Sequence, residues 1–286
     1  MVAIQFAAAS IKKGTTLADK DIQKSKKLPK WVTEHFEDSV ESIQTLIQIV
    51  HLSEKGISVL RGMPQIVGVL AKVNGDTEAT YTQKQLENAK KQALLAQTEV
   101  ESGFPVLHGF AVVSLWGWLE QFIKEFVALW LFHRKSALSA PSVQKLKIRF
   151  GEYMQLPKSE QAAYLVELLE KDMASSLKKG VNRFESLLDP FGLGGGLSSD
   201  CTQSLFELQQ VRNLLAHRSG RVDRRFKSEC PWIKCRVKEQ LVVNQEMLER
   251  YSSACIEYWM ELLYRLGDFH GVALRPESGK ACDAKT

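Results

Sequence analysis

The stretch from Ala111 to Phe132, AVVSLWGWLEQFIKEFVALWLF, limits what this chain can fold into more than any other. It contains no proline, and most of its bulk is Trp, Phe, Leu, Val and Ile. Wound as a helix at about 100° per residue, Ser114, Glu120, Gln121, Lys124 and Glu125 collect within roughly 140° of arc, and the remainder is apolar. A helix apolar on most sides has to be covered, either by other helices in a bundle or by lipid. Glu120, Lys124 and Glu125 near its middle are each costly in hydrocarbon, which points to a buried core helix and no membrane partner. Glu120 and Lys124 stand four apart in the order that favours an ion pair, worth about 0.2–0.5 kcal/mol on a helix surface.

The same periodicity recurs on both sides, so the expected fold class is all-α. Between Val40 and Val73, apolar residues repeat at helical spacing while Gly56, Gly62 and Pro64 interrupt them, which predicts two shorter helices. Asn74-Gly75-Asp76 reads as a turn, and residues 77–101 as a polar helix with Leu86, Leu94, Leu95 and Val100 as a thin stripe. These segments form an expected N-terminal helical hairpin, closed by the boundary signal Ser102-Gly103-Phe104-Pro105. Residues 141–190 predict two helices, one containing Val143 to Tyr153 and one from about Ser159 to Lys179. Phe191–Gly196 reads as a flexible connector; it lacks the Gly-Lys-Ser/Thr ending of a phosphate loop, and no strand precedes it. Asp200 with Gln203 suits a capping box at the start of the following helix. Val237–Val243 alternates weakly, as a short strand or extended arm would. Asn244 caps a last helix whose stripe of Met247, Leu248, Tyr251, Cys255, Tyr258, Leu262 and Leu266 ends at Gly267. The expected organisation is a basic flexible leader at 1–30, a helical region at 31–103, a larger helical domain at 104–270 and a disordered tail at 271–286.

Charge is placed unevenly. The formal net charge is +5, and residues 1–30 alone carry seven lysines against Asp19 and Asp21, so the rest of the chain is neutral overall. The Lys24–Lys30 segment, KSKKLPK, reads as part of a solvated leader, with a nucleic-acid arm as the other possibility. The five cysteines, at 201, 230, 235, 255 and 282, match no disulfide framework, and Cys230 and Cys235 are too far apart for a Cys-x2-Cys zinc site. Reduced thiols, no metal and a cytoplasmic location are expected. Met1–Ser10 is apolar, but positive charges follow it instead of preceding it, so no signal peptide is expected.

Functional chemistry concentrates in QQVRNLLAHRSGRVDRRF, Gln209 to Phe226. On a helix, Leu205, Leu208, Val211, Leu214 and Leu215 share a broad apolar arc with Arg212 at its edge. Asn213 and His217, four residues apart, lie on the opposite face. Gly220 breaks the helix, and Arg218, Arg221, Arg224, Arg225 and Lys227 crowd around the break. An imidazole beside an amide and several guanidiniums suits a phosphate-containing ligand. Arg212-Asn213-Leu214-Leu215-Ala216-His217 resembles the Arg-x4–6-His motif of HEPN domains, including the polar residue that often follows the arginine. The likeness covers roughly Phe104 to Gly267.

The resemblance implies a HEPN-like helical bundle with an N-terminal hairpin extension. It implies a metal-independent endoribonuclease, needing no cofactor, with Arg212, Asn213 and His217 as catalytic residues. The following basic residues would bind RNA phosphates, and Glu120 and Lys124 would be an auxiliary pair. It also implies a composite site at a homodimer interface, RNA as substrate, and a setting in bacterial antiviral defence or toxin–antitoxin systems with an antitoxin or regulatory protein as partner. Helix geometry agrees with the dimer, because Arg212 and His217 are about 140° apart on one helix and do not converge on one phosphate within one chain. The alternative is a non-catalytic HEPN-like dimerisation or nucleotide/RNA-binding module. In the plainest alternative, His217 sits at a helix C-terminus and Arg212 pairs with Glu207 or Glu120. The remaining histidines, at 35, 51, 108, 133 and 270, are expected to be ordinary surface or core residues.

Overall fold

The computed structural model describes residues 27–74, 79–174 and 179–276; residues 75 and 76 of the expected turn, and most of the leader and tail, lie outside these. Among the described residues the fold is all-α. Four of its long helices frame the chain: α1 (Lys30–Leu60), α4 (Pro105–His133), α9 (Ser199–Arg218) and α11 (Gln245–His270). Between α1 and α4 come α2 (Met63–Asn74) and α3 (Ala79–Glu101), which pack on each other. Between α4 and α9 the chain is cut into shorter pieces: α5 (Pro141–Gln144), α6 (Phe150–Gln155), α7 (Lys158–Ala174) and α8 (Asn182–Leu188). A short α10 (Arg224–Glu229) precedes α11. The expected strand near Val237 is reduced to one isolated antiparallel bridge, Arg221 with Gln240.

By contact the chain divides into two units: Met1–Ser42, Leu119–Phe206 and Ser253–Thr286 form one, and Ile43–Trp118 with Glu207–Ser252 form the other. The core of the first is aromatic. Phe36 meets Trp259 and Phe122 at ring-centroid distances of 5.0 and 5.1 Å, and the His35 ring stacks on Phe122 at 4.9 Å. The His35 imidazole also bonds the Phe122 carbonyl at 3.1 Å, and burial lowers its affinity for a second proton despite that bond. The second unit buries Ile43, Val50, Val112, Leu115, Trp116, Leu208, Val211, Leu214, Phe226 and Tyr251. α4 is long and apolar enough to cross a membrane, and Trp116, Leu119, Phe122, Ile123 and Phe126 within it are buried by protein.

Several local expectations need correction. Gly56 does not interrupt α1, which runs on to Leu60; the bend of 57° falls at the Arg61-Gly62 break. The expected Val143–Tyr153 helix is two short pieces separated at residues 145–149, and α8 was not expected. Ser198, not Asp200, caps α9: its hydroxyl accepts the Cys201 amide at 3.1 Å. Asn244 caps α11 as expected, accepting the Met247 amide at 2.9 Å. Gly267 does not end α11. A Cβ there would lie 2.8 Å from the Val272 carbonyl oxygen, because the chain turns at Gly271 (φ +66°) and folds back along the helix. The first residues of the expected tail are therefore pinned, with Arg275 paired to Glu261 and Asp268.

The Gly-rich connector is also held in place. Arg265 donates to both Glu185 oxygens at 3.0 and 2.9 Å and to the Leu193 carbonyl at 3.2 Å, and Glu185 accepts the Gly195 amide at 2.7 Å. A Cβ at Gly195 would collide with Arg265 of the buried ion pair, and one at Gly194 with Asp189, so both glycines serve close approach.

Candidate functional site

Ser199, Asp200 and Gln203 at the start of α9 are exposed, and the helix is buried mainly through its middle. Leu205, Leu208 and Val211 are fully buried, and the polar Glu207, Gln209 and Gln210 are buried as well. Glu207 is the anchor of this region. Its carboxylate accepts from the Tyr251 hydroxyl at 2.6 Å, from the Trp232 indole and from the Arg250 guanidinium. It thereby ties α9 to α11 and to the loop after α10. Burial, and then the Glu207 charge, push the Tyr251 phenol far above its ordinary pKa, so it remains a hydrogen-bond donor.

From Arg212 onward the helix emerges towards solvent. Arg212 and Asn213 are half-buried, and Ala216, His217 and Arg218 are exposed. The helix ends where Ser219 (φ +50°) and Gly220 (φ +77°) turn left-handed. The left-handed φ of Gly220 favours glycine there, and a Cβ would also press on the Gln240 side-chain amide, which donates to the Ser219 carbonyl at 2.7 Å. Asp223 then caps α10 by accepting the Phe226 amide at 2.7 Å.

Arg212 makes one polar contact, donating from Nη1 to the Asn213 side-chain oxygen at 3.1 Å. Its Nε is buried without an acceptor. Neither carboxylate proposed as its partner is used that way, since Glu207 serves Tyr251, Trp232 and Arg250, while Glu120 pairs with Lys124 and Arg183. A half-buried guanidinium without a counter-charge leaves a buried donor unsatisfied, at a cost of about 1–3 kcal/mol. Such a group is poised for an anion.

His217 is equally uncommitted. His35 and His108 are buried, His51 and His108 bond Glu54 at 3.3 and 2.9 Å, His133 stacks on Trp31 at 5.0 Å, and His270 faces Arg134. Among the described residues His217 alone has no hydrogen bond, ion pair or ring partner, and it faces solvent next to the helix end.

The basic cluster is less uniform than its sequence. Lys227 donates to the Ile233 and Pro231 carbonyls at 2.7 and 3.4 Å, which makes it a loop staple. Arg218 lies 3.7 Å from Asp223, and Arg225 pairs with Glu229 at 3.1 Å. Arg221 and Arg224 are exposed, with no ion pair among the described residues. The expected auxiliary pair lies in the other unit, within a four-membered network. Lys124 bridges Glu120 and Glu170 at 3.0 and 2.9 Å, and Arg183 reaches the same two carboxylates at 3.1 and 2.7 Å. Burial would lower the Lys124 pKa, but the two carboxylates more than reverse this. No cluster of His, Cys, Asp and Glu suited to a metal occurs among the described residues. No family model, curated protein or solved structure matches this chain.

Two anchors escaped the sequence reading. Glu207 projects between Val211 and Leu214, inside the apolar arc of its own helix, and a carboxylate in that position signals a buried partner. His51 and Glu54, three residues apart on α1, were also legible as a pair, whereas His108 joins them from 54 residues away.

Proposed function

We propose that this chain is a metal-independent endoribonuclease of the HEPN type, acting as a homodimer in which two α9 helices face each other across one cleft. Arg212 grips the scissile phosphate through its guanidinium fork, with Asn213 holding that fork in place. His217 moves protons, its imidazole taking one from the attacking 2′-hydroxyl or giving one to the leaving 5′-oxygen. Arg221 and Arg224 contact the flanking phosphate backbone. The 2′-oxygen bonds to phosphorus as the bond to the 5′-oxygen breaks, giving a 2′,3′-cyclic phosphate and a 5′-hydroxyl, with Arg212 and His217 in place of a metal or cofactor. The resemblance supplies the setting: bacterial defence or a toxin–antitoxin pair, in the cytoplasm, under an antitoxin or other regulatory protein.

One observation carries this reading. Arg212 is held half-buried with an unsatisfied Nε and, among the described residues, no carboxylate partner, five residues before His217, which has no partner among them either. A second reading, a module that binds nucleotide or RNA without cutting it, draws on the projection of Arg212 and His217 about 140° apart on one helix. The two separate on a pair of substrates, one RNA sequence with ordinary ribose and the same sequence fully 2′-O-methylated. Cutting of the ordinary RNA alone, with cyclic-phosphate ends, is expected. Cutting of both excludes attack by the 2′-hydroxyl, and tight binding of both without cutting establishes the binding module.

A further inference from the structure

In the first unit, the start of α1 and the ends of α4 and α11 carry a continuous file of six rings. Phe132 meets His133 at 4.9 Å between ring centroids, His133 stacks on Trp31 at 5.0 Å, and Trp31 meets Trp130 at 6.1 Å. Trp130 then meets Phe269 at 5.2 Å, and Phe269 meets His270 at 5.4 Å. Trp130 is core, but Phe132 and Phe269 are 47 % and 45 % exposed, and His133 is exposed as well. Arg134 lies over the Trp130 and Phe269 rings, 4.5 Å from each, and donates from Nη2 to His270 Nε2 at 3.4 Å. Burial, and then the Arg134 charge, lower the His270 pKa, which keeps that imidazole a neutral acceptor. This uses one of the five N–H donors of a guanidinium, and no carboxylate pairs with Arg134 among the described residues. Lys135 beside it is exposed and has no ion pair among them.

We propose that this end of the first unit is a platform for single-stranded RNA, with bases stacked on the exposed rings and backbone phosphates held by Arg134 and Lys135. A single strand supplies both complements in alternation, a flat π-face and an anion for every nucleotide, and any base can stack. In a duplex those faces are already covered by neighbouring bases. The acids that border the platform are matched elsewhere, Glu34 with Lys30 at 3.0 Å and Asp268 with Arg275 at 3.1 Å, so they do not neutralise Arg134 or Lys135. The lysine-rich Lys24–Lys30 segment runs directly into Trp31 in sequence and adds charge of the same sign. α4 and α11 both end here, and the carbonyl ends of two helices favour cations. That accounts for the position of Arg134 but not for the exposed rings. It also offsets part of the pull on phosphate, so stacking carries the larger share of binding. The platform shares no residue with the Arg212–His217 motif; only the choice of RNA over DNA rests on the ribonuclease reading.

Fluorescence anisotropy of a labelled, fully 2′-O-methylated oligouridine of about 12 nucleotides tests this on the full chain, because attack by a 2′-hydroxyl cannot cut that strand. Phe132→Ala and Phe269→Ala are each expected to weaken binding by about 5–150-fold, with far-ultraviolet dichroism unchanged. Lys135→Ala, an exposed change that leaves the rings alone, is expected to make the slope of log affinity against log salt shallower by about 0.7, the share of one phosphate contact on a single strand. Polyphosphate of equal charge, which has no bases, is expected to compete poorly. Full competition by polyphosphate leaves only a cationic patch and overturns the proposal, as does equal affinity for a duplex of the same length or tighter binding of oligothymidine. Affinity that is unchanged in Phe132→Ala and Phe269→Ala but lost in Arg212→Ala moves the contact to α9, which overturns the platform and leaves the ribonuclease standing. Binding that needs both rings, in a chain that cuts no RNA, keeps the platform and removes the ribonuclease.

Discussion

Removing the Glu207 carboxylate is expected to be among the most destabilising single changes near the site. Its three donors do not contribute equally. Trp232 and the Arg250 side chain are each 43 % exposed, so on loss of Glu207 both recover water, and their share is small. Tyr251 is completely buried and cannot, which leaves a hydroxyl without an acceptor at about 1–3 kcal/mol. Truncation to alanine also deletes about two buried methylenes, near 0.8 kcal/mol each. Glu207→Ala should therefore cost about 3–4 kcal/mol. Glu207→Gln, which keeps the packing and an acceptor for Tyr251, should cost about 1 kcal/mol. Urea unfolding followed by far-ultraviolet dichroism gives these values. A double-mutant cycle with Tyr251→Phe should show a coupling of about 1–2 kcal/mol. A loss under 1 kcal/mol for Glu207→Ala, or no coupling to Tyr251, would refute the assignment of Glu207 as the anchor of α9.

Three further outcomes are expected. Glu185→Ala strands the buried Arg265 guanidinium and should cost about 3–5 kcal/mol in urea unfolding, while Glu185→Leu with Arg265→Met should recover most of it; equal losses in both would contradict this. Burial pushes the Glu54 carboxyl up, but hydrogen bonds from His108 and His51 more than reverse this and hold it below its ordinary 4.5. Its contribution is thus fully present above that value and is lost as pH falls through the lower folded-state value, so Glu54→Gln should flatten the acid arm of stability measured from pH 6 to 3. Burial raises the Cys201 and Cys230 thiols to about 12 and Cys255 well above its ordinary value. Iodoacetamide at pH 8 should therefore spare these three in the native protein, with Cys235 labelled ahead of them in peptide maps; early alkylation of Cys230 would show that the α10 loop opens.

The helices that were legible are those whose pattern is long and unambiguous. α4 and α11 announce themselves because apolar residues recur over several turns without proline, and the Asn244 cap needs only local geometry. Misreadings arose where one residue type serves two purposes. Gly267 and the glycines at 194 and 195 looked like helix punctuation and slack, yet each makes room for a neighbour distant in sequence, Val272, Asp189 or Arg265. Ser198 and Asp200 are both good capping residues two positions apart, and only the fold decides between them. At the site, Arg212, Asn213 and His217 stand out from spacing and resemblance. Two facts could not be read from sequence: that Glu207 is already spent on Tyr251, and that Lys227 is spent on carbonyls. The basic cluster is thereby reduced to Arg212, Arg221 and Arg224 as unpaired guanidiniums among the described residues.

The most direct measurement is the initial rate of cleavage of a labelled single-stranded RNA in excess EDTA by wild type, Arg212→Ala and His217→Ala, each matched for fold and assembly mass. Wild-type cutting that persists in EDTA and falls about 10²–10⁴-fold in each variant is the expected result. Equal rates in all three proteins, or a wild-type rate abolished by EDTA, would contradict a metal-independent site built on Arg212 and His217.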